Sequence, residues 1–441
     1  MHLRHSKVLT DAAIVGAFTV LVKLAGAAKV VVSAHLFGAG DALDAFLIAF
    51  LIPSFLGDVL AGSLLASVIP TLIEVREKQG DHAAHQLYSS ILVAALTMLL
   101  TVAIIAALAS GIVVHFLGSG FSAEKARLTR MLFLSMTPVI PLSGISMTWR
   151  AVLNSQEKFA AAAGVPIMTP LISIALLVAA GHTLGVFSLA FGATLGTLTE
   201  LGFLAAALRL HGIRMAPVRP RWSQPLRQVL TQYTPMAIGS IMLSGSTLID
   251  QTMAAMLAAG SVSALNFGTR VTGVLVAVGP TALSTAILPR FSKMTALNDW
   301  PGLRRAVKRY ALLSLAVSIP VTALCMYFSE PIVKIIFQRG AFRMSDTHLV
   351  ARVQFWSLLL VPISMLLALV VRLVSSLKAN ELLLRMAMLS MAANITLDYL
   401  LMRRMGVAGI ALATPLVALL SLIFLSYLLS RRVKMPALAA Y

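Results

Sequence analysis

Apolar residues run along this chain in blocks of 20 or more, separated by short polar stretches. Blocks of that length, coiled at 1.5 Å per residue, match the hydrocarbon thickness of a bilayer. About twelve transmembrane helices are predicted: 8–34, 43–71, 86–116, 128–152, 160–181, 184–208, 228–257, 262–289, 307–333, 350–376, 380–402 and 407–430. Pro53 and Pro280 fall inside the long runs 43–71 and 262–289, where a break or a tilted helix is expected. The first run is too long for a signal-peptide core and no small-residue cleavage pattern follows it, so it is expected to be retained. The fold class expected from this pattern is an all-α polytopic membrane protein.

Composition agrees. Of 441 residues, 59% are hydrophobic and 12% charged, with a mean hydropathy of +0.91; a soluble domain carries roughly twice that charged share. The net charge of +19 does not call for nucleic acid, because the basic residues cluster between apolar blocks, where topology places them. With span ends counted with their loops, loops joining even to odd spans and the two termini hold 22 Lys and Arg; the opposite side holds nine, Lys125 among them, and four lie deeper within spans. That imbalance predicts both termini in the cytoplasm. Arg150 and Arg372 are expected at the cytoplasmic interface. The single cysteine, Cys325, offers neither a disulfide nor a metal cluster.

Between the sixth and seventh blocks lies RLHGIRMAPVRPRWSQPLRQ (209–228), basic and poor in apolar residues. It predicts a lobe over 1–208, a cytoplasmic linker over 209–227 and a second lobe over 228–441. The linker's arginines and Trp222 suit contact with anionic membrane lipids. The halves also repeat. LFGAGDALDAF (36–46) has a counterpart in LAAGSVSALNF (257–267), Pro70 in Pro289, HFLGSGF (115–121) in IIFQRGAF (335–342), and Arg150 in Arg372, all near one offset. Six spans per half start both halves on the same side, which predicts two lobes related by a pseudo-twofold axis along the membrane normal, with a cavity between them. The glycines of FGAG read as permitting a helix–helix turn.

Charges inside spans are costly and normally face a bundle interior or an aqueous path. Lys23 and Lys29 lie six residues apart on the first helix, about 9 Å along its axis and about 120° apart, so they border a broad cavity or, at Lys29 above all, snorkel to an interface. Arg270 sits roughly 12 Å into the eighth span. Its roles are a salt bridge between lobes, to Asp44, Asp58 or Asp250, or the grip of a phosphate. Asp44 either joins the cavity or caps the second helix. Three long cations in the core suit an anionic substrate. No nucleotide-binding Gly-Lys-Ser/Thr loop, zinc motif or other catalytic constellation is present, so neither an enzyme nor a metal site is expected.

At these residues the sequence resembles the MurJ/MviN family of lipid II flippases, within the MOP exporter superfamily. The resemblance is carried by VKLAGAAKV (22–30), FGAGDALDAF (37–46), AFLIPS (49–54), GSVSALNFGTRV (260–271), ILPRFS (287–292) and IIFQRGAF (335–342). It implies that Lys23 and Lys29 take the places of two cavity arginines, that Asp44 and Arg270 join them as substrate-binding residues, and that Asp58 and Asp250 serve lobe contact or gating. The implied function is a flippase that carries a polyprenyl-pyrophosphate-linked glycan to the outer leaflet by alternating access, without a cofactor, driven by a coupling ion or the membrane potential, beside cell-envelope synthesis proteins. Departures stand beside it. Lysines replace both arginines, Gly57 a cavity arginine and Gly62 a glutamate, Asp58 reverses a basic position, and the expected spans number twelve against the family's fourteen. These leave open a lipid-linked exopolysaccharide unit as substrate, a small-molecule antiporter, or a non-transporting scaffold.

Overall fold

In the computed structural model the described residues are 2–57, 59, 62–213, 218–377, 379 and 381–432; they are overwhelmingly helical, with no strand among them. The first half contains α1 (His2–Phe37), α2 (Asp41–Leu56), α3 (Gly62–Leu108), α4 (Ser110–Leu117), α5 (Ala123–Met136), α6 (Val139–Ser155), α7 (Phe159–Gly164), α8 (Met168–Leu184) and α9 (Phe187–Leu210). The second contains α10 (Gln224–Ala255), α11 (Ser261–Ala296), α12 (Trp300–Tyr327), α13 (Ser329–Phe337), α14 (Met344–Ser357), α15 (Leu360–Ser376), α16 (Glu381–Met405) and α17 (Val407–Arg432).

Among the described residues, eight helical segments are long and apolar enough to cross a membrane. Helix α3 takes the end of the expected span 43–71 and most of 86–116, and its helical geometry is interrupted at Gly80. The expected span 128–152 is built from α5 and α6, which meet at Thr137 and Pro138. Of the run 43–71, α2 covers residues up to Leu56 and α3 those from Gly62, with 58, 60 and 61 outside the described residues, whereas 262–289 is one continuous helix despite Pro280. Helices α10, α11 and α16 are outside the eight. In α10 and α16 polar and ionisable side chains, Asp250 and Asp398 among them, lower the hydropathy.

The chain falls into two compact units, Met1–Ser244 and Gly245–Tyr441, so the first turns of α10 belong with the N-terminal unit. Each unit repeats the same pairings: α8 packs along α9 as α16 does along α17, α6 on α9 as α15 on α17, α5 on α9 as α14 on α17, and α3 on α6 as α11 and α12 on α15. The cores are built from equivalent positions, Val152, Leu204 and Leu208 in one unit and Val374, Leu425 and Leu429 in the other. Gly38 (φ 60°) and Gly260 (φ 85°) hold the left-handed turn before the second helix of each repeat, a conformation that side chains with a Cβ rarely adopt. Gly192 and Gly196 lie against the backbone of Ser173 and Thr169, so α8 and α9 approach closely through small residues, as membrane helices commonly do.

Candidate functional site

In the N-terminal unit, α1, α3, α6 and α7 enclose a cavity of about 1050 Å³. Its cations come from three helices: Lys23 on α1, Arg76 on α3 and Arg150 on α6. Lys23 is exposed, and both arginines are half-buried. The connection after α6 fixes their forks. Arg76 Nη1 donates to the Ser155 carbonyl (3.4 Å), and Arg150 Nε donates to the Ala162 carbonyl (3.0 Å). That connection turns at Glu157, whose left-handed φ of 58° allows the Lys158 amide to reach back to the Leu153 carbonyl (2.9 Å), closing α6 in the manner of a C-terminal cap. Behind Arg150 lies Glu200 of α9, which is buried and attracts the guanidinium. Ser146 and Thr169 donate hydroxyl hydrogen bonds to its two oxygens (2.5 and 3.1 Å).

The expected site residues distribute as follows. Lys29 is half-buried, with Nζ 5.8 Å from the centre of the Phe50 ring of α2; it is not among the residues lining the large cavity. Asp44 is 1% exposed and forms an ion pair with Lys125 of α5 (3.1 Å), which also reaches Asp41 (2.6 Å) and lies over the Phe121 ring at 4.0 Å. Arg270 is exposed on α11, its Nη2 donating to Asn266 Oδ1 one turn back (2.8 Å). Asp58 lies outside the described residues.

Asp250, on the last turns of α10, belongs to the C-terminal unit and meets two residues of α16. Asn394 Nδ2 donates to Asp250 Oδ1 (3.1 Å) and to Asp398 Oδ2 (3.3 Å), and the two carboxyls are themselves hydrogen-bonding neighbours. Asn394 and Asp398 are fully buried, and Oδ1 of each has no hydrogen-bond partner among the described residues. One amide oxygen and one carboxyl oxygen left bare at a pair of neighbouring carboxyls in an apolar unit are costly unless something positive joins them. A proton or a small oxygen-loving cation meets that need. Asn394 and Asp398 escaped the sequence reading, although their four-residue spacing in an apolar helix puts both on one face. Glu200 escaped it too, as a lone carboxylate in an apolar run.

Two units with matching helix pairings, one carrying cations around a cavity and the other a buried acidic cluster, define a duplicated all-helical membrane-protein fold. Solved structures agree on the fold. A lipid II flippase MurJ in an inward closed conformation superposes with a TM-score of 0.81 at 20% identity, covering 95% of this chain and 87% of that one. An inward-facing multidrug resistance MATE transporter of the MOP superfamily gives 0.77 at 12% identity, with 97% and 100% covered. The model of the family described as lipid II flippase MurJ matches residues 33–441. The chain therefore belongs to that family, whose named members move a lipid rather than transform it, and it is a multi-pass protein of the bacterial inner membrane. Among its relatives are a probable lipid II flippase MurJ of Synechocystis sp., 26% identical over 96% of this chain and 81% of that protein, and the lipid II flippase MurJ of Burkholderia cenocepacia, 28% identical over 77% and 67%.

Proposed function

We propose that this chain flips lipid II, a polyprenyl-pyrophosphate-linked sugar precursor of peptidoglycan, from the cytoplasmic to the outer leaflet by alternating access. The observation that carries the reading is the match of the lipid II flippase family model over residues 33–441. The residues support it: Lys23, Lys29 and Arg270 are cations on helices within the membrane, and paired phosphates are among the few groups that repay the cost of holding such charges there. Asp44 serves this set from behind. Its carboxylate ties α2 to α5 through Lys125 and so fixes the turn at the end of α1.

A coupling cation, proton or sodium, belongs at Asp250, Asn394 and Asp398, where two neighbouring carboxyls share one amide donor and Oδ1 of Asn394 and of Asp398 is left bare. Both termini and the 209–227 linker face the cytoplasm on the count of basic residues. There Arg219, Arg221 and the exposed Trp222 meet anionic lipid, and the enzymes that make the precursor are the expected partners. The test is reconstitution into liposomes carrying labelled lipid II, with reagent access to the headgroup followed on each leaflet. Transfer above that of protein-free liposomes is expected. Equal rates, with the protein inserted and folded, would overturn the reading.

A further inference from the structure

The cavity in the N-terminal unit is larger than Lys23 alone requires, and it is also walled by Arg76 and by Arg150, the second of which the sequence placed only at an interface. Arg76 and Arg150 come from different helices, and each donates one guanidinium nitrogen to a backbone carbonyl of the 155–162 connection. Arg76 Nε also lies 3.8 Å from Asp81 Oδ1, and Arg150 Nη1 reaches Met147 Sδ at 3.5 Å. These contacts fix the plane of each fork and leave its Nη2 donors for a ligand, an arrangement suited to planar oxyanions. Glu200 attracts the Arg150 guanidinium without itself lining the cavity. Two exposed carboxylates, Glu77 and Glu157, also line the cavity. They exclude a bare polyanion as the best occupant and favour a headgroup that carries N–H donors beside its phosphate.

We infer that this cavity binds a phosphate ester with N–H donors, drawn from the membrane interface, its phosphate taken by Arg76, Arg150 and Lys23 and its donors by Glu77 and Glu157. Two sources share this chemistry: the lipid-linked precursor, as a first docking place before it reaches Lys29 and Arg270, or an aminophospholipid such as phosphatidylethanolamine. Only the first source rests on the flippase reading. Lys29 does not line this cavity, so the two places are separable by mutation.

The experiment is native mass spectrometry of the purified full-length protein titrated with lipid II and, separately, with phosphatidylethanolamine. Wild type is compared with Arg76→Gln, Arg150→Lys, Lys78→Gln and Lys29→Gln. Arg150→Lys keeps the charge beside Glu200 and loses the fork, and equal unfolding temperatures show that each variant is folded. Lys78 neighbours Arg76 on the same helix and pairs with Glu74 (2.7 Å), so it reports any unspecific effect of charge. Affinity for one probe should fall about tenfold in Arg76→Gln and in Arg150→Lys, as expected for one charge-assisted hydrogen bond, and stay unchanged in Lys78→Gln. The probe affected names the source. Wild-type affinity of both arginine variants for both probes would overturn the proposal, as would an equal loss in Lys78→Gln. Loss of lipid II binding in Lys29→Gln alone would overturn this site and leave the flippase reading standing. Loss of phosphatidylethanolamine binding in both arginine variants, with no lipid II bound by wild type, would do the reverse.

Discussion

The two units share a scaffold and differ in charge. Position 29 on α1 and position 250 on α10 stand 221 residues apart, at the spacing that relates the rest of the repeat, and one is Lys while the other is Asp. The same offset separates two hydrogen-bonded pairs. Thr169 of α8 donates to Glu200 of α9 in the N-terminal unit, and Ser390 of α16 meets Ser421 of α17 (2.6 Å) in the C-terminal unit. A buried carboxylate in one half is a hydroxyl in the other, and behind Arg150 the charge has a partner to offset. The wide cavity about Arg150 also shrinks, since the pocket about Arg372 measures about 310 Å³ and is mainly apolar. The duplicated helices therefore fix geometry, and the substituted charges divide the labour: cations beside a wide cavity in the first unit, carboxyls in a closed site in the second. The function proposed above assigns the anionic headgroup to the first unit and the coupling cation to the second.

This contrast can be broken at several points. The largest effect on stability is expected where the N-terminal unit buries a carboxylate of its own. Lys125→Ala leaves Asp44 buried without that partner and should cost about 3 kcal/mol, read from the unfolding of the purified protein. Asp44→Asn in the same chain should recover most of the loss. Next comes the acidic cluster. Wild type should gain about 2.7 kcal/mol from a coupling cation present at a hundredfold excess over its dissociation constant. Asp398→Asn, of the same shape, should fold and lose that gain, whereas a gain of wild-type size would remove the cation from this site.

Smaller differences sharpen the comparison. Thr169→Val keeps the side-chain shape but takes one donor from buried Glu200, which should cost about 1.5 kcal/mol. At the equivalent place, Ser390→Ala should cost only about 0.5 kcal/mol, because Ser421 keeps its bond to the Val417 carbonyl (2.7 Å) and leaves no charge bare. Denaturant unfolding of both variants measures the ratio, and equal costs would mean that Glu200 carries no charge needing support.

Much of the fold was legible because bilayer thickness dictates block length and because a duplication leaves several weak matches at one offset. Gly38 and Gly260 show this well, each in the turn that its motif suggested. What was not legible is contact across the sequence. Nothing near Asp44 announces Lys125, 81 residues further on, and Arg150 reads as an ordinary interfacial cation until the 155–162 connection turns it toward Lys23. Asn394 and Asp398 lie between these cases. Their spacing was visible, but their meaning depends on Asp250, which arrives from another helix.

The most direct test of the central claim is rescue of bacteria depleted of their lipid II flippase, comparing wild type with Lys29→Ala and Arg270→Ala at matched membrane levels. The account predicts growth with wild type and a loss of at least a hundredfold in viable cells with either variant. Failure of wild type to rescue, with the protein inserted and folded, would contradict lipid II as the substrate, and equal rescue by all three would contradict the role given to the cations.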